Sequence, residues 1–185
     1  MRIIAGEYRG RSIRTTAGPG YRPATGKVRE SLFSMLESLG VEWSRTTVAD
    51  IFAGSGSLGI EALSRGALDA VFVEKAAQAA SLIRSNLETL GVERRRCAVV
   101  KADALRWLDG GRGPFGLVFI DPPYGKDLLL PALKLLLGRQ GLAPDGLICA
   151  EVEAGLAFDN PPRADLVLLR DKHYGQTRIC IWRRN

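Results

Sequence analysis

Apolar and polar positions along the chain follow two rhythms, and the change between them falls near Thr47. Before it, Val28, Leu32, Met35, Leu36 and Leu39 recur at helical spacing, with Thr25 as N-cap and Gly40 as a stop. Ahead of that helix, RIIA and RSIRT alternate around a turn at GEYRG and predict a small β-hairpin. The stretch AGPGYRPATG is too rich in Gly and Pro to be anything but a loop. After Thr47 the pattern becomes strand, loop, helix, repeated. TVADIF leads to LGIEALSRG, and AVFVEK to a helix with Ala79, Leu82, Ile83, Leu87 and Leu90 on one face and Gly91 at its close. CAVVKAD leads to ALRWLDG, and FGLVFID to DLLLPALKLLLG. Three more strand-like runs follow, GLICAEV, DLVLLRDK and TRICIWRR, the last two joined by HYGQ as a closing hairpin. Continuous apolar strands alternating with helices predict an α/β fold, a parallel sheet covered on both faces with an antiparallel edge. The chain therefore divides into an N-terminal hairpin, loop and helix over residues 1–46 and an α/β domain over residues 47–185.

Composition leaves that picture intact. At 185 residues, 46% hydrophobic and 25% charged, the chain suits a single domain with an ordinary core. It has no apolar run long enough to span a membrane and no apolar signal segment at its start, so the expected location is cytoplasmic. Cys97, Cys149 and Cys180 are odd in number and widely spaced among apolar neighbours, which predicts inert thiols rather than a disulfide framework. With His173 the only histidine, no metal site is expected. Charge changes the picture more. Of the net +6, most comes from residues 1–30, where seven basic side chains face only Glu7 and Glu30. A nearly neutral body with a basic leader points to a polyanion docking at one end.

Ligands of open α/β sheets bind beyond the carboxyl ends of the strands. There the chain places GSGSLG at residues 54–59, which fits the G-x-G-x-x-G of dinucleotide sites, with Glu74 where a ribose-binding acid would stand. Acids also lie at or near the ends of the first four strands: Asp50, Glu74, Asp103 and Asp121. Unpaired carboxylates in one crevice repel one another, and a donor-rich or cationic ligand explains them better than a pyrophosphate does. Glu74 suits the ribose hydroxyls of NAD and of S-adenosylmethionine alike, and Asp103 an adenine amine. Asp50, just before the loop, suits the cationic amino-acid end of S-adenosylmethionine. Gly54 and Gly56 let the backbone approach that end closely.

The sharper signal is Asp121-Pro122-Pro123-Tyr124. Two prolines after a buried strand fix the backbone stiffly, so that a carboxylate and a carbonyl aim at one point. A nucleobase amine is a poor nucleophile because its lone pair is delocalised. Acceptors at Asp121 and the Pro122 carbonyl favour a pyramidal nitrogen, and Tyr124 would stack on the base.

Over nearly its whole length the chain resembles the bacterial small-subunit ribosomal RNA guanine-N2 methyltransferase family. The resemblance is carried by MRIIAGEYRGR, RPATGKVRESLFSML, DIFAGSGSLGIEALSRGA, VFIDPPYG and HYGQTRICIW. It implies a Rossmann-like, seven-stranded class I methyltransferase sheet, with S-adenosylmethionine as donor and a guanine amine of 16S rRNA as acceptor. A partly or fully assembled 30S particle as substrate and a monomeric enzyme complete the expectation. By position, Asp50, Phe52, Gly54, Gly56, Glu74, Lys75, Asp103 and Ala104 would line the donor site. Asp121, Pro122 and Tyr124 would handle amine and base, and Arg9, Arg11, Arg22, Lys27 and Arg29 would face RNA or close over the site. The chain departs from the family pattern at Ala24 and Gly26, on either side of Thr25, where a hydroxyl and an acid are missing. Three other readings stay open on the residues alone. A DNA adenine-N6 methyltransferase would use the same Asp-Pro-Pro-Tyr but generally carries a further domain to read the duplex. An RNA-binding protein on a vestigial fold would not need Asp121 or Tyr124, and an NAD oxidoreductase has only His173 as a candidate hydride-site acid.

Overall fold

The computed structural model describes residues 1–15, 26–159 and 161–185. The Thr25 cap, Arg22, Ala24 and most of the Gly/Pro-rich loop lie outside the described residues. Seven strands form one sheet: β1 (Thr47–Ile51), β2 (Asp69–Glu74), β3 (Cys97–Lys101), β4 (Phe115–Ile120), β5 (Leu142–Glu153), β6 (Leu166–Tyr174) and β7 (Thr177–Arg184). Their order is β3-β2-β1-β4-β5-β7-β6, parallel through β5, with β7 antiparallel to both neighbours. The predicted closing hairpin is present, but β7 lies inside the sheet and β6 forms the edge. The reason is apolar: Ile179, Cys180, Ile181 and Trp182 are all fully buried, a pattern only a strand covered on both faces can bury.

Strand alternation splits the core in two. Val48, Phe72, Leu117, Phe119, Leu147, Cys149 and Ile179 face one side, beneath α1 (Gly26–Ser38), α2 (Ser57–Ser64) and α3 (Ala77–Leu90). Ala49, Val73, Val118, Ile120, Ile148 and Cys180 face the other, beneath α4 (Ala104–Asp109) and α5 (Leu129–Gly138). Of the 3.6-period stripe seen in the sequence, Leu32 and Leu36 are buried in the first of these cores, Val28, Met35 and Leu39 pack against it partly buried, and Phe33, outside the stripe, is buried with them. Among the described residues, no helix is long and apolar enough to cross a membrane.

The leader folds back on itself: Arg2 bridges Ser12 in antiparallel fashion, and Ile3 N–H donates to the Arg11 carbonyl at 3.0 Å, Gly10 N–H to the Ile3 carbonyl at 2.9 Å and Ile13 N–H to the Met1 carbonyl at 2.8 Å. Its backbone is also bonded to a helix: the Ile4 and Ala5 N–H groups donate to the Glu61 carboxylate of α2 at 2.9 and 3.0 Å, and Glu7 N–H to the Ser64 carbonyl at 2.7 Å. Ile3, Tyr8 and Ile13 are buried in the same core as α1 and α2. Gly6 explains how so close a fit is possible. It has φ +83°, and a Cβ there would stand 1.8 Å from the Ser64 carbonyl oxygen, so only glycine fits. The described parts of residues 1–46 and the sheet thus share one core.

Candidate active site

The strand order reverses between β1 and β4, so a crevice opens between the loops that leave their carboxyl ends. The loop after β1 is tightly wound. Phe52, Gly54 and Gly56 all have positive φ (64°, 55° and 75°), a costly conformation for the phenylalanine. Gly56 opens α2 without a side-chain cap, and a Cβ on it would press to 3.2 Å on Ile83 and 3.3 Å on Phe72. A Cβ on Gly59 would meet the Phe72 ring at 2.4 Å. The last glycine therefore serves helix–strand packing, while the first two shape the turn.

Alternation on the strands explains the acids. Two residues beyond Val48, Phe72, Phe119 and Cys149, on one face of the sheet, stand Asp50, Glu74, Asp121 and Glu151. Where helices stop covering that face, the apolar row becomes a row of carboxylates. Asp50, 2% exposed, accepts from Gly59 N–H at 3.0 Å. Burial pushes its carboxyl up to about 7, with the Gly59 bond opposing and Glu74 adding repulsion. Glu74 is fixed by Gly54 N–H at 2.9 Å and Ala76 N–H at 2.6 Å, one on each oxygen. Asp121 is half-buried. Burial, then the nearby Glu151 and Asp50, raise its carboxyl well above the ordinary range. Burial also pushes Glu151, 5% exposed, up to about 7.

Asp103 does not join the row. It caps α4, accepting from Leu105 and Arg106 N–H at 3.1 and 3.2 Å, and pairs with Lys75 at 3.3 Å. These contacts, the Arg106 N–H first, hold its carboxyl below the usual range. Lys75 is exposed beside it, whereas Ala104 turns its side chain into the core and has only backbone to offer a ligand.

Asp121 N–H reaches the Ile51 carbonyl at 3.4 Å, which ties the Asp-Pro-Pro-Tyr segment to the strand that feeds the glycine loop. Pro122 is buried, Tyr124 is 39% exposed, and its hydroxyl bonds Thr177 Oγ1 of β7 at 3.0 Å. Gly125 N–H donates to Glu153. Tyr124 thus presents an anchored ring beside Asp121.

Among the described residues, Arg9, Arg11 and Arg29 are not brought to this crevice. Gly6 packs on the last turn of α2, so the turn carrying Arg9 lies at the opposite end of the sheet. Arg9 is exposed there, and Arg11 donates to the Thr89 and Leu90 carbonyls at 2.5 and 2.8 Å, capping the far end of α3. Arg29 is 2% exposed and turned inward, 3.9 Å from Glu61 and bonded to the Arg2 carbonyl at 2.6 Å. A guanidinium so enclosed makes no phosphate contact, which corrects the sequence expectation for Arg29. Lys27, exposed in the first turn of α1, is on the crevice side, because Ser31 of the same helix bonds Tyr174 at the carboxyl end of β6. Sequence reasoning missed Glu151. Its signal was an acid inside the apolar run GLICAEV, in register with the acid that ends FGLVFID.

A dinucleotide would set its pyrophosphate against Asp50 and Glu74, both buried and acidic. The cationic amino-acid end of S-adenosylmethionine fits Asp50 and its ribose hydroxyls fit Glu74, so the donor set matches that cofactor.

Comparison with known proteins agrees. Residues 1–183 match the family described as Conserved hypothetical protein 95. Ribosomal RNA small subunit methyltransferase D of Escherichia coli is 37% identical over 184 residues, covering 100% of this chain and 90% of that protein. The solved structure of Escherichia coli yhhF superposes with a TM-score of 0.86 at 36% identity, over 100% of this chain and 98% of that one. The fold alone extends to the Thermus thermophilus 16S rRNA N2 G1207 methyltransferase RsmC, solved with AdoMet and guanosine. There the TM-score is 0.73 at 18% identity, over 100% of this chain and 49% of that one.

Proposed function

Because the chain belongs to the Conserved hypothetical protein 95 family, with ribosomal RNA small subunit methyltransferase D as a full-length relative, we propose that it methylates the exocyclic N2 amine of a guanine in 16S rRNA. It is an S-adenosylmethionine-dependent rRNA methyltransferase. The particular base, a 30S particle as substrate and action as a monomer are the proposed refinements.

S-adenosylmethionine supplies a methyl group already activated on a sulfonium. Asp50, Glu74 and the backbone of residues 52–56 would hold it, with Lys75, Asp103 and the backbone of Ala104 along the rim. Asp121 and the Pro122 carbonyl accept the two amine hydrogens and turn the nitrogen lone pair out of conjugation. Tyr124 stacks on the base, its ring steadied by Thr177. Once amine and methyl face each other, positioning supplies much of the acceleration. Lys27, Lys126 and Lys172, all exposed at the carboxyl end of the sheet, are placed to meet RNA phosphates. Residues 1–46 contribute to this surface through α1, and Arg22 belongs with them in the proposal.

The observation that carries this reading is the seating of Asp121 and Tyr124 at the strand-order reversal, tied directly to the strand that enters the glycine loop. The test is transfer of labelled methyl from S-adenosylmethionine to 30S particles from cells lacking the enzyme, to naked rRNA and to duplex DNA. Nucleoside digestion then identifies the product. Label in N2-methylguanine, lost with Asp121→Ala, supports the proposal. Label in N6-methyladenine, or none, overturns it.

A further inference from the structure

Glu151 has no evident work in the fold. Its side chain is 5% exposed, its Oε2 makes no hydrogen bond, and it forms no ion pair among the described residues. A buried carboxylate oxygen left in that state costs stability. Ile120 pairs with Ala150 in the parallel ladder between β4 and β5, so Asp121 and Glu151 occupy the next rung, side by side on the same face. Neighbouring strands lie about 5 Å apart. On the other flank, Glu151 pairs with the apolar Ile179 of β7.

The titratable groups around the two carboxyls are Asp50 from β1, Tyr124 from the loop after β4, and Cys149 and Glu153 from β5. Cys180 of β7 bears on Cys149. From the helices above, α1 sends Ser31 to Tyr174 of β6, and α2 has its one acid, Glu61, committed to arginines and the leader backbone. None of these groups brings a positive charge to the pair. A buried and a half-buried carboxyl this close do not both ionise readily.

We propose that Glu151 is a positioning residue for methyl transfer, retaining a proton beside Asp121 so that the pair meets the acceptor amine with a single negative charge. This rests on the assignment of Asp121 to the amine. With Glu151 holding the proton, an Asp121 oxygen accepts an amine N–H. The nitrogen lone pair then forms the bond to the methyl carbon while the carbon–sulfur bond breaks, its electrons staying on sulfur. The nitrogen gains a positive charge and releases its N–H proton to Asp121. The pair, now neutral with one proton on each carboxyl, returns one proton to water when product leaves. The shared proton limits the pair to a single negative charge near neutrality and leaves one Asp121 oxygen free to take the proton that the methylated nitrogen, a strong acid, gives up.

The deciding variant is Glu151→Gln, equal in size and unable to share the proton. We expect kcat to fall at least about tenfold, with KM for RNA and calorimetric affinity for S-adenosylmethionine within about twofold of wild type. Carbon-13 NMR titration of the Asp121 carboxyl changes from two interacting steps in the wild type to a single step, because the carboxyl that shares the proton is removed. Glu151→Asp, which keeps a carboxyl able to share the proton, regains part of the lost kcat. A wild-type kcat and an unmoved Asp121 titration in Glu151→Gln would overturn the proposal. So would equal losses in both variants matched by equal falls in Tm. Should Glu151→Gln fail to fold, the wild-type titration decides: two interacting steps support the pair, and independent steps overturn it. The same curve separates this proposal from the acceptor assignment, since a wild-type enzyme that leaves guanine unmethylated refutes only the latter.

Discussion

The two ends of the first core treat buried charge in opposite ways. Beneath the leader, Glu61 is 1% exposed and accepts from the Ile4 and Ala5 backbone, pairs with Arg65 at 3.1 Å and lies 3.9 Å from the buried Arg29. Arg65 reaches on to Glu37, and Arg96 holds Glu7 at 3.5 Å and the Leu63 and Ala67 carbonyls. Positive meets negative, and the contacts join leader, α1 and α2. At the carboxyl end, Asp50, Glu74, Asp121 and Glu151 are all of one sign, and backbone N–H groups steady only the first two. Paired buried charge holds a fold together, whereas buried charge of one sign disfavours it until a ligand or proton arrives. The leader end is therefore structural, and the crevice is where the fold gives up stability for chemistry.

Glu61→Ala should show the largest effect, because it leaves Arg29 enclosed without its carboxylate and frees two leader N–H groups. Breaking a buried pair in this way costs about 3–5 kcal/mol, read as a lower urea midpoint. Glu61→Gln, which keeps an acceptor oxygen, should lose less. A loss below about 1 kcal/mol for Glu61→Ala, the range of exposed pairs, would mean that the leader is a surface arm after all.

The same contrast explains what could be read from the sequence. Strands, helices and the Asp-Pro-Pro-Tyr segment announced themselves because their signals are local: apolar runs, a 3.6-residue period on α3 closed by Gly91, two prolines after a strand. The leader's basic residues misled because composition records charge and not its partner. Arg29 is separated from Glu61 by α1 and β1, and no local pattern joins them. Glu151 was hidden for a related reason. One acid in an apolar strand has meaning only once strand order sets it beside Asp121. The position of β7 inside the sheet followed the same rule, since pairing between distant strands is set by tertiary packing.

A second effect, smaller, concerns pH, and its sign differs between the unpaired carboxylates of the crevice and the acids that have partners. The Asp50 and Glu151 carboxyls are raised to about 7 in the folded chain, and Asp121 is raised as well. A carboxyl raised on folding contributes stability that is complete below its unfolded value and is lost as pH rises through its folded value. The ligand-free enzyme should therefore melt higher near pH 5 than near pH 8, by on the order of 1–3 kcal/mol of stability. Asp103, Asp165 and Asp171 are lowered by their partners, so their stability is lost only as pH falls below the ordinary carboxylate range. Saturating S-adenosylmethionine should flatten the slope, because a cation facing Asp50 favours its ionised form. Calorimetric melts across this range, with and without the donor, check both statements. A midpoint that rises from pH 5 to pH 8 without the donor would sink the first.

The smallest effect separates the ring of Tyr124 from its hydroxyl. The hydroxyl meets Thr177 Oγ1 at 3.0 Å, and burial, more than its acidic neighbours, pushes its pKa up and favours the neutral phenol. Tyr124→Phe keeps the stacking face and removes one partly exposed hydrogen bond, worth about 0.5–1.5 kcal/mol. If the ring acts by stacking and the hydroxyl only steadies it, KM for RNA rises about two- to tenfold, while kcat and the titration of Asp121 hold. Thr177→Val should reproduce the change, and the double variant should add little to either one, since both remove the same bond. A fall in kcat confined to Tyr124→Phe would assign the hydroxyl a part in the proton's path. It would also place the boundary between the crevice's chemistry and its scaffolding at the tyrosine oxygen rather than at Asp121.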